Sequence, residues 1–168
     1  GSDPTFLERN SRRRGIWRHV RGERLMAFIN ALQRLLKTGT SGFSEFEHVV
    51  LNHVVAALPD DLRGRLRRRI EAVNLVQRLD GGREVNCFVM RHGKPVLQIE
   101  TRVSTVAGEM KLAKFAVEGT AGTANTGQIW LVDGNLFSLE FELPTEHANP
   151  SAVVSVHIDL APMAELEV

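Results

Sequence analysis

The sequence predicts an α+β fold, in which about three N-terminal helices pack on one face of a five- to seven-stranded antiparallel meander sheet. The apolar residues of positions 26–73 recur at helical spacing, whereas those of positions 74–160 alternate as they do in strands. Turn signals separate the later apolar runs, and no helical pattern lies between them. The strands are therefore expected to pair as antiparallel neighbours rather than as parallel βαβ units.

Two amphipathic helices are predicted in the first third of the chain. The first covers the apolar stripe from Leu25 to Leu36 and ends soon after it. The second begins after Ser44, which forms a capping-box pattern with Glu47, and it ends before Pro59. Both are expected to lie on the apolar face of the sheet.

A third helix is predicted to begin at Asp60 or Asp61, where carboxylates suit the positive end of the helix dipole. Its expected buried stripe is Leu62, Leu66, Ile70 and Val73. Five arginines are expected to fan over the rest of its surface: Arg63, Arg65, Arg67, Arg68 and Arg69. The planar guanidinium fork matches phosphate and carboxylate, so this helix is a candidate anion-binding surface. A plain solvated helix face explains the same pattern.

Up to seven strands are expected after the helices, at positions 74–79, 84–91, 96–105, 110–118, 128–133, 136–143 and 153–160. The pair Gly134-Asn135 is a strong signal for a two-residue hairpin, and the small residues of 119–127 are expected to form a loop. Alternation in the last two strands predicts these core residues: Phe137, Leu139, Phe141, Leu143, Val154, Val156, Ile158 and Leu160. Glu140 and Glu142 are expected to face solvent.

The charge is divided along the chain. Residues 1–79 carry 15 Lys and Arg against 8 Asp and Glu, and residues 80–168 carry 6 against 12, so a net charge of +1 hides a basic front and an acidic back. Cys87 is the only cysteine, which excludes an internal disulfide and fits a reducing compartment. No apolar run approaches the roughly 20 residues that span a bilayer. These features predict a cytoplasmic protein without a transmembrane segment.

The N-terminal residues have a different origin in this interpretation. Gly1-Ser2 resembles the remnant of a cleaved purification tag. Gly22-Glu23 can be encoded as a bacterial ribosome-binding sequence two codons before Met26, which predicts that the natural chain begins at Met26. Residues 1–25 are then added or upstream sequence, or else a flexible basic arm, and residues 26–168 form one domain. Its helical part spans 26–73 and its β part 74–160.

No motif for catalysis, a metal or a cofactor emerges, and none of these is predicted. The stretch Gly122–Gly127 lacks the Lys and the following helix of a phosphate-binding loop. Ser155, His157 and Asp159 share one face of a strand, but alternate strand residues lie about 6.6 Å apart, too far for a catalytic triad. The expectation is a protein without catalytic activity.

The leading hypothesis is a non-catalytic bacterial protein-binding domain, similar in role to immunity or adaptor proteins. It would present the acidic, solvent-facing side of its sheet to a basic partner protein, through Glu100, Glu140, Glu142 and Asp159. One alternative is a nucleic-acid or anionic-surface binder that acts through the arginine helix at 63–69. Another is an enzyme or small-ligand binder with a pocket between the helices and the sheet.

Overall fold

The described part of the chain, residues 39–166 of a computed structural model, begins with two helices that precede a sheet. Helix α1 spans Glu45–Ala57 and helix α2 spans Asp60–Ala72. The predicted capping box is present, because the Ser44 hydroxyl accepts the backbone N–H of Glu47 at 3.2 Å and the Glu47 carboxylate accepts that of Ser44 at 2.7 Å. The first predicted helix, the segment 1–25 and the suspected start at Met26 lie outside the described residues.

The sheet has seven strands, all paired antiparallel, as expected. They are β1 (Leu75–Leu79), β2 (Glu84–Arg91), β3 (Lys94–Val96), β4 (Glu109–Gly119), β5 (Gly122–Val132), β6 (Asn135–Phe141) and β7 (Val153–Leu160). Their order is β1-β2-β6-β5-β4-β7, and β3 pairs with β2 beside this path. The meander is therefore wrong in detail, because β6 returns to β2 and β7 crosses back to β4.

One face of the sheet is covered by the helices, as predicted. Helix α1 packs against β4 and β7, and helix α2 packs against β6 and a short 3-10 turn, Ile99–Thr101. Fully buried side chains from both layers include Val50, Leu51, Val54, Leu66, Leu112, Val117, Ile129, Leu131 and Leu139. Burial of this apolar surface is the main driving force for the fold.

The strand expected at 96–105 is absent, since β3 ends at Val96 and the chain then turns. The side chains of Leu97 and Ile99, which alternation placed in the core, are 42% and 69% exposed. The Thr101 hydroxyl hydrogen-bonds to the carbonyl of Gln98 and to the Asn135 side chain instead. The local bond to Gln98 competes with the strand ladder, and the long-range bond to Asn135 holds the resulting turn against β6.

Two β-bulges turn side chains that alternation placed in the core away from it. The extra residue in β6 is Phe137, which packs edge-on against Phe88, with 5.6 Å between ring centroids. The extra residue in β7 is Val154, whose side chain is 67% exposed. Each bulge shifts the alternation by one residue, so Leu136 and Val153 turn toward the core in their place. Leu143 also lies outside the core, beyond the end of β6.

The loop expected at 119–127 is instead a continuation of the β4–β5 hairpin, which turns at Thr120 and Ala121. Close packing explains one of its small residues, Gly127. A Cβ at Gly127 would collide with the Phe115 ring and with the carbonyl oxygen of Glu140, so only glycine fits there without a shift.

A buried ion pair joins the helix layer to the sheet. The Glu47 side chain is 1% exposed, and its two carboxylate oxygens each accept a hydrogen bond of 2.7 Å from Arg78 of β1. Arg78 also donates to the hydroxyl of Thr40 and to the carbonyl of Gly42. Thr40 in turn exchanges two backbone hydrogen bonds with Val76. The segment before α1, the first turn of α1 and strand β1 are thereby held together.

Removing one partner of this pair should be strongly destabilising. Arg78→Ala leaves the Glu47 carboxylate buried without its cation, and we expect a loss of about 3–5 kcal/mol in the free energy of unfolding. Urea denaturation measures it. Arg83→Ala is the matched control, because its contact with Asp80 is 4.0 Å long and exposed, and it should change stability by less than about 0.5 kcal/mol. Equal effects of the two substitutions would contradict this assignment.

Candidate functional site

The sheet face opposite the helices, here the open face, carries a straight row of polar side chains. The register of five neighbouring strands places Glu84 opposite Glu140, Glu140 opposite Gln128, Gln128 opposite Lys114, and Lys114 opposite Asp159. Neighbouring strands lie about 4.8 Å apart, so the row extends roughly 19 Å across the sheet. Negative charge lies at its two ends and a lysine lies between them.

The strongest concentration of negative charge is at the β2–β6 end of the row. Glu84, Glu140 and Glu142 form what we call the acidic cluster, since Glu84 faces Glu140 across the strands and Glu142 follows on the same side of the chain. Neighbouring polar groups orient two of these carboxylates. The Asn86 amide donates to Glu84 at 2.9 Å, and the Thr126 hydroxyl donates to Glu142 at 2.6 Å. Oriented carboxylates at this spacing attract a cationic group.

The structure brings together only part of the predicted acidic face. Glu140 and Glu142 lie side by side, but Asp159 lies on β7, beyond Lys114. Glu100 is not on the sheet, because it belongs to the 3-10 turn beside α2, where its carbonyl accepts a hydrogen bond of 3.4 Å from Arg68. Glu84 is the member that alternation missed. Only the pairing register of β2 with β6 identifies Glu84, and the sequence does not specify that register.

The five arginines of α2 do not form one surface. Arg69, expected on the outside, is only 1% exposed, and its guanidinium donates to the carbonyls of Leu136 and Val96, both at 3.2 Å. The reason lies in helix geometry, because Leu62, Leu66, residue 69 and Val73 follow the 4-3-4 spacing of one face. Ile70 lies at the edge of that face and is half-buried.

Two further arginines are bound by neighbouring groups of the fold. Arg63 donates to three carbonyl oxygens at the end of α1, those of Val55, Ala56 and Leu58, and pairs with Asp60 at 2.9 Å. It therefore satisfies carbonyls that the end of a helix leaves without partners. Arg68 reaches the turn that follows β3. Arg65 and Arg67 remain, with Arg67 exposed and Arg65 half-buried.

The buried guanidinium of Arg69 lies near Cys87 of β2, a thiol with no exposed surface. Burial lowers the pKa of Arg69, and the nearby Cys87 partly opposes that effect. Burial also raises the pKa of Cys87 to about 12, which the positive charge of Arg69 only partly offsets. The thiol contacts the Phe137 carbonyl oxygen at 3.3 Å. It is therefore protonated near neutral pH and is not a nucleophile.

Other constellations are also accounted for. No group of three or more His, Cys, Asp or Glu residues within 39–166 could hold a metal ion. Gly122–Gly127 lies in a strand, with no helix after it, which excludes a phosphate-binding loop there. In the same part of the chain, no helix is long and apolar enough to cross a membrane.

Comparison of the chain with protein-family models, with curated proteins and with solved structures found no match. The open face and the arginines of α2 are therefore the candidate binding surfaces.

Removing Arg69 should destabilise the fold, in contrast to the neighbouring exposed arginine. Arg69→Ala removes a charged donor from two carbonyl oxygens and opens space in the core, so we expect a loss of about 3 kcal/mol. Arg67→Ala, which changes an exposed side chain two residues earlier on α2, should change stability by less than about 0.5 kcal/mol. Chemical denaturation of both variants provides the test. A small effect for Arg69→Ala would mean that its side chain lies in solvent.

The raised pKa of Cys87 predicts a loss of stability at high pH. The unfolded thiol ionises near its ordinary pKa of 9.0, whereas the folded one stays protonated until about 12. The contribution is therefore complete below pH 9.0 and falls as the pH rises toward 12, by up to about 1.4 kcal/mol per pH unit. Unfolding of the wild type and of Cys87→Ala, both in reductant, should diverge in this range. Parallel curves would contradict the prediction.

Proposed function

We propose that this protein is a non-catalytic protein-binding domain, immunity- or adaptor-like, that binds a basic segment of a partner protein through its open face. The observation that carries the proposal is the register of β2 and β6, which sets Glu84 directly opposite Glu140 with Glu142 beside them. Complementary charge of this kind raises the association rate and selects among partners. The proposed binding residues are the acidic cluster, with Asp159 at the far end of the row.

The aromatic side chains of the open face suit a protein partner. Trp130, cross-strand to Ser138, and Phe137, which packs on the buried Phe88, are half-buried on the same face as the acidic cluster. Lys111 lies 5.3 Å from the centre of the Trp130 ring, which shows that this ring has a cation on its face. Protein interfaces are enriched in such aromatic groups, which a polar rim surrounds.

The alternative, binding of nucleic acid or of an anionic surface through α2, is weaker in the folded chain than in the sequence. Arg63, Arg68 and Arg69 all donate to backbone carbonyls, and the acceptor for Arg68 is the carbonyl of Glu100. Arg65 and Arg67 therefore remain as the candidate phosphate contacts. Counterion release scales with the number of phosphates neutralised, so two arginines support only weak binding.

Fluorescence anisotropy with a labelled Arg- and Lys-rich peptide tests the proposal. We expect the triple variant Glu84→Gln, Glu140→Gln, Glu142→Gln to bind this peptide roughly tenfold more weakly, about 1.4 kcal/mol. Raising the salt concentration should weaken the wild type in the same direction.

The matched control reverses charge elsewhere on the surface. Arg65→Glu with Arg67→Glu should leave binding of the basic peptide unchanged or slightly tighter, with unaltered thermal unfolding. A labelled single-stranded oligonucleotide is the second probe. If the oligonucleotide binds and loses affinity in the arginine variant, while the basic peptide does not bind at all, the alternative replaces the proposal.

A further inference from the structure

Strand β7 forms an edge of the sheet. It pairs with β4 on one side, and no strand within residues 39–166 pairs with its other side. The opposite edge is different, because Thr40 forms a bridge with Val76 and exchanges two backbone hydrogen bonds with it. Exposed edges of this kind are templates for pairing with another chain.

The backbone groups of β7 that point outward can be identified. The N–H of Ala161 donates to the carbonyl of Leu112 on β4, at 2.8 Å. Hydrogen-bonded positions alternate along an antiparallel pair, so Ser155, His157 and Asp159 also direct their backbone groups toward β4. Val156, Ile158 and Leu160 direct theirs away from the sheet.

Common devices that protect an edge are missing along most of this strand. Residues 153–160 contain no Lys, Arg or Pro. The bulge at Val154 lies at the start of the strand and leaves the rest of it regular. Among the residues that the structure describes, no strand pairs with a run of three outward-directed peptide groups between that bulge and Pro162.

We infer that β7 pairs with β7 of a second copy of this chain, antiparallel, about a two-fold axis that passes between the two Ile158 residues. The two sheets then form one continuous sheet with the helices of both copies on the same side. An isologous contact of this kind uses one surface twice, so every complementary pair occurs twice.

Charge selects the register. Core-facing side chains must stay on the core side, and only residues with outward-directed backbone groups can exchange hydrogen bonds. With the axis at Ile158, Val156 of one copy pairs with Leu160 of the other, and His157 lies opposite Asp159 of the second copy. That position lacks backbone bonds, so its side chains approach most closely, about 4.5 Å between Cα atoms.

The neighbouring registers are less favourable. A shift of the axis to His157 sets that residue opposite itself, and a shift to Asp159 sets two carboxylates opposite each other. Only the Ile158 register lets each imidazole donate a hydrogen bond to a carboxylate across the interface.

Helix α1 packs against β7 as well as β4, so the α1 helices of the two copies come to lie side by side on the same face of the joined sheet. Neighbouring helices pack at interaxial distances of about 8–10 Å, which is the spacing that the two α1 helices must keep in the dimer.

Sedimentation velocity of the full chain over a range of concentrations, with charge-exchange variants, tests the inference. We expect a concentration-dependent dimer for the wild type. His157→Asp sets carboxylates opposite each other twice, and the dimer dissociation constant should rise at least roughly tenfold. Asp159→His removes the same acceptors and should also weaken the dimer. The double variant with both changes exchanges the two partners and should recover most of the lost affinity.

Each other outcome overturns the inference. A wild type that stays monomeric at all concentrations rules out the dimer, and a dimer that neither single variant weakens lies elsewhere on the surface. Weakening without recovery in the double variant rules out the Ile158 register. Circular dichroism verifies that the variants are folded. Binding of the basic peptide through the acidic cluster should persist in His157→Asp, so failure of the dimer and failure of the proposed function are distinguishable.

Discussion

The bidentate ion pair between Glu47 and Arg78 is the constraint from which the arrangement of the two layers follows. A carboxylate that is 1% exposed is stable only with its partner in place, so the first turn of α1 must stay within hydrogen-bond distance of Arg78 on β1. The same glutamate completes the helix cap, and the same arginine holds the segment at Thr40 and Gly42. One charged contact therefore couples helix initiation, layer packing and the end of the sheet.

The two faces of the sheet acquire their different characters from interruptions in the strands as much as from alternation. The bulge at Phe137 sends an aromatic ring to the open face and brings Leu136 into the core, next to the buried guanidinium of Arg69. Close approach at Gly127 lets Phe115 and Phe141 pack edge-on, with 5.2 Å between ring centroids. The acidic cluster occupies adjacent positions because these irregularities fix the register of β6 between β2 and β5.

Sequence reasoning predicts the fold class, the helix boundaries at Ser44 and Pro59, and most strands, since each depends on local periodicity or capping. It fails where side-chain bonds across the fold override the pattern, as at Thr101, which bonds to Asn135 from a distant strand. The 4-3-4 spacing of the buried face of α2 includes position 69 and so indicates that Arg69 is buried. The sequence prediction missed this because it assumed that every arginine of the helix faces solvent. Glu84 could not be assigned to a site, because strand order is a property of long-range pairing.

The bridge at Thr40 also limits how large an assembly can grow. Fibres extend when each molecule offers two complementary edges, one at either side of its sheet. Here Val76 on the first strand already has its backbone partners, whereas the last strand does not. A molecule with one unpaired sheet edge can form a dimer through that edge, and the dimer then has no further edge to which a third copy could pair. Within residues 39–166, pairing through β7 therefore stops at two copies and does not extend into a fibre.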